Sequence, residues 1–468
     1  MSNPSPSSEL STLRLVGFSS IALSLGAVIL AVAVYLPAHL AGDLGLNMTV
    51  VGVSWASVRI LDLFVDPALG LIMDRTRTNL GRYRPWTLLG GPILALALWA
   101  LFEARPGIGP GHLIGWLLVL YLGQSILTMG QSAWAANLAP DYNGRSRMFG
   151  AIGIATALGG VAVILVPVIA TPMGLPAKET VQAMGWMMIV LTPGVVALAA
   201  ASTPEPLRLG AAKPFRWVDI WALVTKPDLI RLLLAQMSLT LGPGWMGALF
   251  LFYFASRGFS TAQTSILLLI NLSAGIIGAL GMSRLAMRVG KHWALIAAAI
   301  GFSSALVMLL FIPDGSLFAA APIMLLLGSM TASFSVTTSA MLADVGDEVR
   351  LQRGSDQLTL IYALNAVANK IAWALCIGLS FPLLSVIGFN PAEGAINTPA
   401  ALRGLTVVFA AGPIGFSLLG GLCVAGWRLS AQRHAEIRRR LFEIDAATST
   451  TTTAGAYLVE ALEPHGGG

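Results

Sequence analysis

Three charged side chains interrupt an apolar segment near the beginning of the chain. Arg59, Asp62 and Asp66 lie within the sequence RILDLFVDPALG. Their spacing of i, i+3 and i+7 places all three on one face of a helix. Because each charge at the centre of a bilayer costs roughly 2.5–3.5 kcal/mol on insertion scales, this face is expected to point into the protein or a water-filled cavity. One arginine cannot neutralise two carboxylates, so the sequence predicts a functional role for Asp66.

A single lysine, Lys370, lies deep in another apolar segment, YALNAVANKIAWALC. A carboxylate pair beside a movable ammonium group is what cation coupling requires. The acids can hold H⁺ or a hard metal ion through oxygen ligands, and the ammonium group replaces that charge when the ion leaves. We therefore predict that Asp62, Asp66 and Lys370 couple transport to a cation, with Arg59 as the structural partner of Asp62.

The elements that must position these residues are membrane-spanning helices. Of the 468 residues, 56% are hydrophobic and 11% are charged, whereas soluble domains have about 25% charged residues. Apolar runs close to the ~20 residues that cross a bilayer as a helix recur along the chain. We predict twelve spans, near residues 15–38, 48–74, 86–104, 112–139, 148–171, 184–203, 228–256, 262–283, 291–312, 317–343, 358–388 and 401–429.

The twelve spans divide into two sets of six, and two loops echo each other. DRTRTNLGR and SRLAMRVGK each contain an arginine, five further residues, a glycine and a basic residue. Duplicated halves around a central site are typical of secondary transporters. The sequence thus predicts an all-α membrane protein with the major facilitator fold. Its predicted parts are an N-terminus (1–14), two six-helix halves (15–203 and 228–429), a linker (204–227) and a tail (430–468) that begins as a basic helix and becomes disordered.

The basic residues are concentrated in one set of loops. Of the 28 Lys and Arg residues, 22 lie in loops on one side of the predicted bundle and four on the other, with Arg59 and Lys370 inside spans. Positively charged loops stay in the cytoplasm. We therefore predict an inner-membrane protein with both termini cytoplasmic. The net charge of +6 then needs no nucleic-acid partner.

The segment RILDLFVDPALGLIMDRTRTNLGRYRPW closely resembles the second-helix motif of the glycoside–pentoside–hexuronide:cation symporters, the melibiose-carrier type. Two later segments resemble that family's tenth-to-eleventh helix loop and its eleventh helix. They are MLADVGDEVRLQRGSD and ANKIAWALCIGL. The resemblance implies that Asp62 and Asp66 are the cation-binding aspartates and that Lys370 is the family's eleventh-helix lysine. It also implies a cytoplasmic motif that clamps neighbouring helices in one conformation, formed by Asp74, Arg75, Gly81, Arg82 and Arg84.

The chain departs from this family at the residues that hold the sugar and the sodium ion. The positions that correspond to two aspartates and an arginine that bind sugar hydroxyls are Ser24, Gly130 and Ala155. Two positions that correspond to the sodium site are Val65 and Leu127, neither of which offers a side-chain oxygen. Since a dehydrated sodium ion needs about six oxygen ligands by analogy with other hard cations, H⁺ is predicted as the coupling ion, with Na⁺ as the alternative.

Several polar side chains are candidates for solute binding. Their alternative role is ordinary hydrogen bonding between helices. Gln124, Gln131 and the family's stacking tryptophan, Trp134, share a face of the fourth span, and Tyr362, Asn365 and Asn369 share a face of the eleventh. The full predicted set also includes Ser24 in the first span.

The sequence therefore predicts a symporter for a small organic solute, a glycoside or other carbohydrate, that works by alternating access. One alternative is an exporter or a lysolipid-type lipid carrier on the same fold. A second is a transport-inactive sensor or scaffold, which the retained acids disfavour. An enzyme is not expected, since the sequence lacks a Walker loop, a zinc-type His pair and a Cys cluster. Beyond the coupling cation we predict no cofactor and no metal, and the expected state is a monomer in the lipid bilayer.

Overall fold

The computed structural model describes residues 12–138, 142–203, 205, 223, 225–354, 357–392, 394–427, 429 and 432–444. Within these residues, twelve helices are long and apolar enough to cross a membrane, as predicted. They are α1 (Thr12–Gly42), α2 (Met48–Arg75), α3 (Arg84–Phe102), α4 (Pro110–Leu138), α5 (Tyr142–Ala170), α6 (Ala177–Ser202), α7 (Pro227–Ser256), α8 (Thr261–Val289), α9 (Lys291–Leu310), α10 (Leu317–Arg353), α11 (Leu358–Val386) and α12 (Pro399–Cys423).

Helix boundaries differ most from the sequence prediction where helices continue into polar or charged sequence. Helix α6 begins at Ala177, seven residues before the predicted start, because its first turn is polar and adds little apolar signal. Helix α10 continues to Arg353, ten residues past the predicted end, through a charged segment that packs against other elements. A further short helix, α13 (432–444), follows α12 and agrees with the basic helix predicted there. The rest of the predicted tail, after residue 444, lies outside the described residues.

Several helix ends are set by capping residues. Ser260 forms a capping box with Gln263 at the start of α8, and the Thr398 side chain accepts a hydrogen bond from the Ala401 amide at the start of α12. Such caps satisfy backbone donors that have no partner inside the helix. Helix α10 ends at Gly354, whose left-handed φ of 67° is readily adopted by glycine.

Small residues allow the halves to approach closely where α2 crosses α11. A Cβ atom at Gly52 would lie 2.9 Å from the Ile377 carbonyl oxygen, and one at Gly378 would lie 2.6 Å from the Ala56 Cβ atom. Helix pairs in membranes commonly approach through such residues. Gly52 lies one turn after the start of α2 and Gly378 lies in the second half of α11, so the two helices run antiparallel through this contact.

The two ends of the bundle differ, and we name them by their loops. The basic end carries the α2–α3 and α8–α9 loops, in which Gly81 and Gly290 both have positive φ values, 116° and 96°. The opposite end carries the α1–α2 and α11–α12 loops. There the Tyr35 hydroxyl of α1 lies 2.9 Å from the Ser265 hydroxyl of α8, which joins the two halves. The internal repeat inferred from the two loop sequences stays a prediction.

Candidate functional site

Lys370 lies between the two aspartates of α2. Its Nζ atom is 2.7 Å from Asp62 Oδ2 and 2.5 Å from Asp66 Oδ2. These contacts cross from α11 in the C-terminal half to α2 in the N-terminal half. The structure thus brings together the three residues that the sequence assigned to cation coupling, and it does so at the contact between the halves.

The two aspartates have different surroundings. Asp62 is 3% exposed and has two further neighbours: Arg59 Nη1 lies 3.6 Å from its Oδ2 atom, and the Ser125 hydroxyl donates to its Oδ1 atom over 3.4 Å. Asp66 is 29% exposed. Its Oδ1 atom is buried and has no hydrogen-bond partner among the described residues. Lys370 is therefore the main partner of Asp66 but only one of several for Asp62.

Arg59 is held by an aromatic side chain as well as by Asp62. Its guanidinium carbon lies 3.8 Å from the centroid of the Tyr121 ring, and Tyr121 is buried in α4. A guanidinium group over an aromatic face is stabilised by the ring quadrupole. Arg59 therefore contacts α4 through Tyr121 and Asp62 through its Nη1 atom. Tyr121 was not predicted from the sequence, because an aromatic residue in an apolar span gives no distinguishing signal.

The more exposed of the two aspartates lies nearer the basic end. Along α2, the exposed fraction of the side chain rises from 3% at Asp62 to 29% at Asp66, one turn nearer that end. Trp55, on the other side of the cluster, is buried. The close approach of α2 and α11 at Gly52 and Gly378 covers the same side. The less buried part of the cluster therefore lies on the side of the basic end.

Three of the predicted solute-binding residues make contacts inside the N-terminal half. The Ser24 hydroxyl lies 2.6 Å from the Thr192 hydroxyl, and Gln131 donates to the Phe18 carbonyl over 3.2 Å. Trp134 is fully buried with its ring edge-to-face against Phe18, 5.1 Å between centroids. These contacts are of the interhelical type weighed in the sequence analysis, and a solute-binding role for the three residues stays a prediction.

The other predicted residues lie on α11 and α4. Asn369 Oδ1 accepts hydrogen bonds from the Thr240 hydroxyl over 2.7 Å and from Gln236 Nε2 over 3.0 Å. Gln236 in turn accepts one from the Thr338 hydroxyl of α10. Asn365 has a buried Oδ1 atom without a partner among the described residues. Tyr362 is 39% exposed and donates to the Ser339 carbonyl over 3.1 Å, and Gln124 is half-buried on α4.

The basic loop between α2 and α3 is closed by a residue that sequence reasoning missed. The Glu205 carboxylate accepts hydrogen bonds from the backbone amides of Tyr83, over 2.9 Å, and Arg84, over 2.9 Å. Gly81 is buried beside it, and a Cβ atom there would overlap the Glu205 carboxylate. A carboxylate at a helix N-terminus satisfies free backbone donors and favours the helix dipole. Glu205 thus ties the end of α6 to the beginning of α3.

The remaining members of the predicted switch loop lie around this contact. Arg82 has its guanidinium carbon 5.3 Å from the centroid of the Tyr83 ring. Arg75 forms the last, exposed turn of α2, and Arg84 begins α3 half-buried. The side chain of Asp74 lies outside the described residues. A clamping role for this loop stays a prediction.

A second ionic cluster fixes α13 to the basic end of the C-terminal half. Asp344 of α10 accepts from Lys291 Nζ, 2.7 Å away, and His434 Nε2 lies 3.3 Å from Asp344 and 3.1 Å from Asp347. Arg433 Nη2 lies 3.2 Å from the Glu348 carboxylate. The acids of the sequence MLADVGDEVR therefore hold α13 and the start of α9 on the extension of α10.

Comparisons with known proteins agree with this architecture. The sequence profile of the family described as MFS/sugar transport protein matches residues 17–430. The chain is 26% identical over 238 residues to the raffinose carrier protein of Pediococcus pentosaceus, an alignment that covers 47% of this chain but only 37% of that protein. It is 22% identical to the glucuronide carrier protein homolog of Escherichia coli (strain K12), with 88% and 91% of the two chains covered.

The fold is also found among solved structures. A crystal structure of a mutant of the nucleoside transporter NupG superimposes on the chain with a TM-score of 0.69 at 13% identity, and covers 89% of this chain and 99% of that one. At this identity the likeness shows the fold alone. The predicted major facilitator fold of twelve helices is confirmed.

Proposed function

Because the chain belongs to the MFS/sugar transport protein family, we propose that it is a proton-coupled symporter for a small organic solute. As in its relatives, which are membrane transporters and not enzymes, the chain is a multi-pass membrane protein. The solute is a glycoside or another carbohydrate-like molecule. The observation that supports coupling is the position of Lys370, 2.7 Å from Asp62 and 2.5 Å from Asp66.

The two carboxylates have separate tasks in this proposal. Asp62, with Arg59 and Ser125 as additional partners, stays ionised through the cycle. Asp66 has Lys370 as its main partner and is the more exposed of the two, so it is the residue that takes up the proton. Protonation removes the ion pair between Asp66 and Lys370. Because that pair joins α2 to α11, proton binding weakens a contact between the halves and allows them to rock relative to one another.

The proposal favours H⁺ over Na⁺ because the site offers few oxygen atoms. A dehydrated sodium ion needs about six oxygen ligands, whereas a proton needs a single carboxylate. Beyond the carboxylates themselves, the Ser125 hydroxyl lies 3.4 Å from Asp62 Oδ1. Val65 directly precedes Asp66 in α2, and Leu127 is fully buried in α4. Neither side chain supplies an oxygen ligand.

Alternating access requires that the site open to each side of the membrane in turn. We place the basic end in the cytoplasm together with both termini, since positively charged loops remain inside, and we propose that the cluster opens to that end, where Asp66 is the more exposed aspartate. This arrangement corresponds to the inward-facing state of a monomer in the inner membrane. In the outward-facing state, the contacts of Gly52 and Gly378 at the opposite end separate.

The experiment is solute-driven proton uptake into proteoliposomes that contain a pH-sensitive dye. Addition of a transported solute should acidify the lumen without sodium, and sodium should leave the rate unchanged. The matched control is Asp66→Asn, which keeps the size of the side chain but cannot exchange a proton. Sodium-dependent uptake without proton movement, or unchanged proton movement in Asp66→Asn, would contradict the proposal.

A further inference from the structure

A cavity of about 640 Å³ lies at the basic end of the C-terminal half. Its walls are formed by the turn between α8 and α9, the adjacent part of α10, and the segment that leads from α12 into α13. We call it the α9 cavity. Four of its lining side chains carry nitrogen donors: Arg288, Lys291, His292 and His434. Cavities of this size are typical of small-molecule sites, so the α9 cavity has room for a ligand or for the polar part of a larger one.

The charges that line the α9 cavity favour an anion. The carboxylate of Asp344 is buried and already neutralised, since both of its oxygens lie 2.7 Å from Lys291 Nζ and His434 Nε2 is 3.3 Å away. Arg288, in contrast, is exposed and forms no ion pair or hydrogen bond with the residues that the structure describes. His292 adds ring nitrogens that are likewise free of hydrogen bonds to the described part of the chain. The cavity therefore presents an unpaired positive charge and an additional N–H donor.

The beginning of α9 adds backbone donors to the same cavity. Gly290 precedes this helix and provides no side-chain cap, so the amides of the first turn lack the oxygen acceptor that a capping side chain supplies. At the basic end of the N-terminal half, the amides at the beginning of α3 have such an acceptor, the Glu205 carboxylate. The dipole of a helix also favours negative charge at its N-terminus. An anionic oxygen in the α9 cavity would therefore meet Arg288 and the first turn of α9 together.

The rim of the α9 cavity is apolar and exposed. Met287 and Val289 in the last turn of α8, and Trp293 in the first turn of α9, line the cavity and are exposed. These turns are the ends of two membrane spans. Tryptophan is enriched where spans reach the membrane surface, and exposed apolar side chains at that depth contact acyl chains. The cavity thus combines a wall that attracts an anion with a rim that suits hydrocarbon, which fits an amphipathic anion better than a free one.

We propose that the α9 cavity binds the head group of an anionic phospholipid. The phosphate lies at Arg288 and the first turn of α9, and the acyl chains extend along Met287 and Trp293. Basic pockets between membrane helices are known to bind head groups of this kind. Because Gln432 and His434 of α13 also line the cavity, the bound lipid connects the α8–α9 turn to α13. The inference is independent of the transported solute and of the coupling ion.

The test measures lipid binding to the delipidated full chain in a non-ionic detergent by native mass spectrometry. The probes are phosphatidylglycerol and phosphatidylcholine with identical acyl chains. The first phosphatidylglycerol should bind about fivefold more tightly than phosphatidylcholine, the factor that one basic side chain contributes near an anionic lipid. Equal affinities would overturn the inference. Glycerol 3-phosphate, which has the phosphate but no acyl chains, should bind much more weakly; binding as tight as that of phosphatidylglycerol would indicate a site for a free phosphate instead.

Two matched variants locate the binding site. Arg288→Gln removes the unpaired charge of the cavity, whereas Arg284→Gln removes an equally exposed charge one turn earlier on α8, outside the cavity. Only Arg288→Gln should weaken binding of the first phosphatidylglycerol, by about fivefold, and Arg288→Lys should retain most of the affinity. Equal losses in the two glutamine variants would show attraction to surface charge alone and overturn the site, as would no loss in Arg288→Gln. Photoreactive phosphatidylglycerol should crosslink to the α8–α9 turn, and crosslinks found only elsewhere would also contradict the inference.

Discussion

The replacement Lys370→Ala tests directly whether α2 and α11 meet through their charges. In this variant Asp62 keeps Arg59, 3.6 Å away, and the Ser125 hydroxyl. Asp66 loses the cation that lies 2.5 Å from its Oδ2 atom, and its other oxygen has no partner among the described residues. The variant therefore leaves one poorly compensated carboxylate, that of Asp66.

The size of the effect follows from the burial of Asp66. Removing one partner of a buried ion pair costs about 3–5 kcal/mol. Since Asp66 is 29% exposed, water compensates part of its charge, and we expect a loss near the lower limit, about 3 kcal/mol. This corresponds to roughly a hundredfold change in the ratio of folded to unfolded protein. The loss should diminish in acidic buffer, because a proton can neutralise the stranded carboxylate.

Two double variants separate the aspartates. Asp66→Asn with Lys370→Ala leaves no unpaired charge at the contact and should recover most of the lost stability. Asp62→Asn with Lys370→Ala leaves both Asp66 and Arg59 without an oppositely charged partner, so it should recover nothing. The measurement is the free energy of unfolding in mixed detergent–SDS micelles for the wild type, the single variants and both double variants. Recovery in the Asp62 double variant, or in neither, would refute the assignment of Asp66 as the main partner of Lys370.

Three further outcomes are expected. Asp66→Asn should abolish solute accumulation against a gradient in vesicles but retain exchange of labelled for unlabelled solute, because the amide cannot release a proton; loss of exchange as well would show a binding defect. Glu205→Gln should lower the free energy of unfolding by about 1 kcal/mol, since two backbone amides lose a charged acceptor, and Glu205→Asp is the control that keeps the charge. No loss in Glu205→Gln would exclude the tie between α6 and α3. A cysteine introduced at Ala211, in the predicted linker, should resist membrane-impermeant thiol reagents in intact cells, and labelling from outside would contradict the cytoplasmic placement of the basic end.

The main features of the ion cluster could be predicted because charges inside apolar spans need partners. Arg59, Asp62, Asp66 and Lys370 are conspicuous in such segments, and the repeat of six helices indicates that their two helices meet. The sequence predicts that Lys370 accompanies the two carboxylates, but not its distance from each of them, since that depends on the rotation of α11 about its axis. Sequence spacing gives the face of a helix but not its neighbour across the bundle.

The contacts of Glu205 and Asn369 illustrate what spacing leaves undetermined. Glu205 binds backbone amides more than 120 positions earlier in the chain, and backbone donors have no signature in the sequence. Gln236 and Thr240 were unremarkable polar residues of α7 until the structure placed them against Asn369. The extension of α10 was missed for a different reason. Its acids and arginines resemble a loop by hydropathy, and only the ion pairs with Lys291 and α13 show why it remains helical.

The π-helical segment Ala31–Tyr35 inside α1 affects how that helix contacts both halves of the protein. A single additional residue in a helical turn offsets everything beyond it by about 100° relative to an unbroken α-helix. The side chains before and after this segment of α1 consequently point in directions that a single unbroken α-helix would not give them. Ser24 faces Thr192 within its own half, while Tyr35 is directed across to Ser265 in the other. If the π-helical turn shifted along α1 towards its C-terminal end, the section that carries Tyr35 would rotate about the helix axis. The Tyr35 hydroxyl would then lose its contact with Ser265, while the section that carries Ser24 stayed in place.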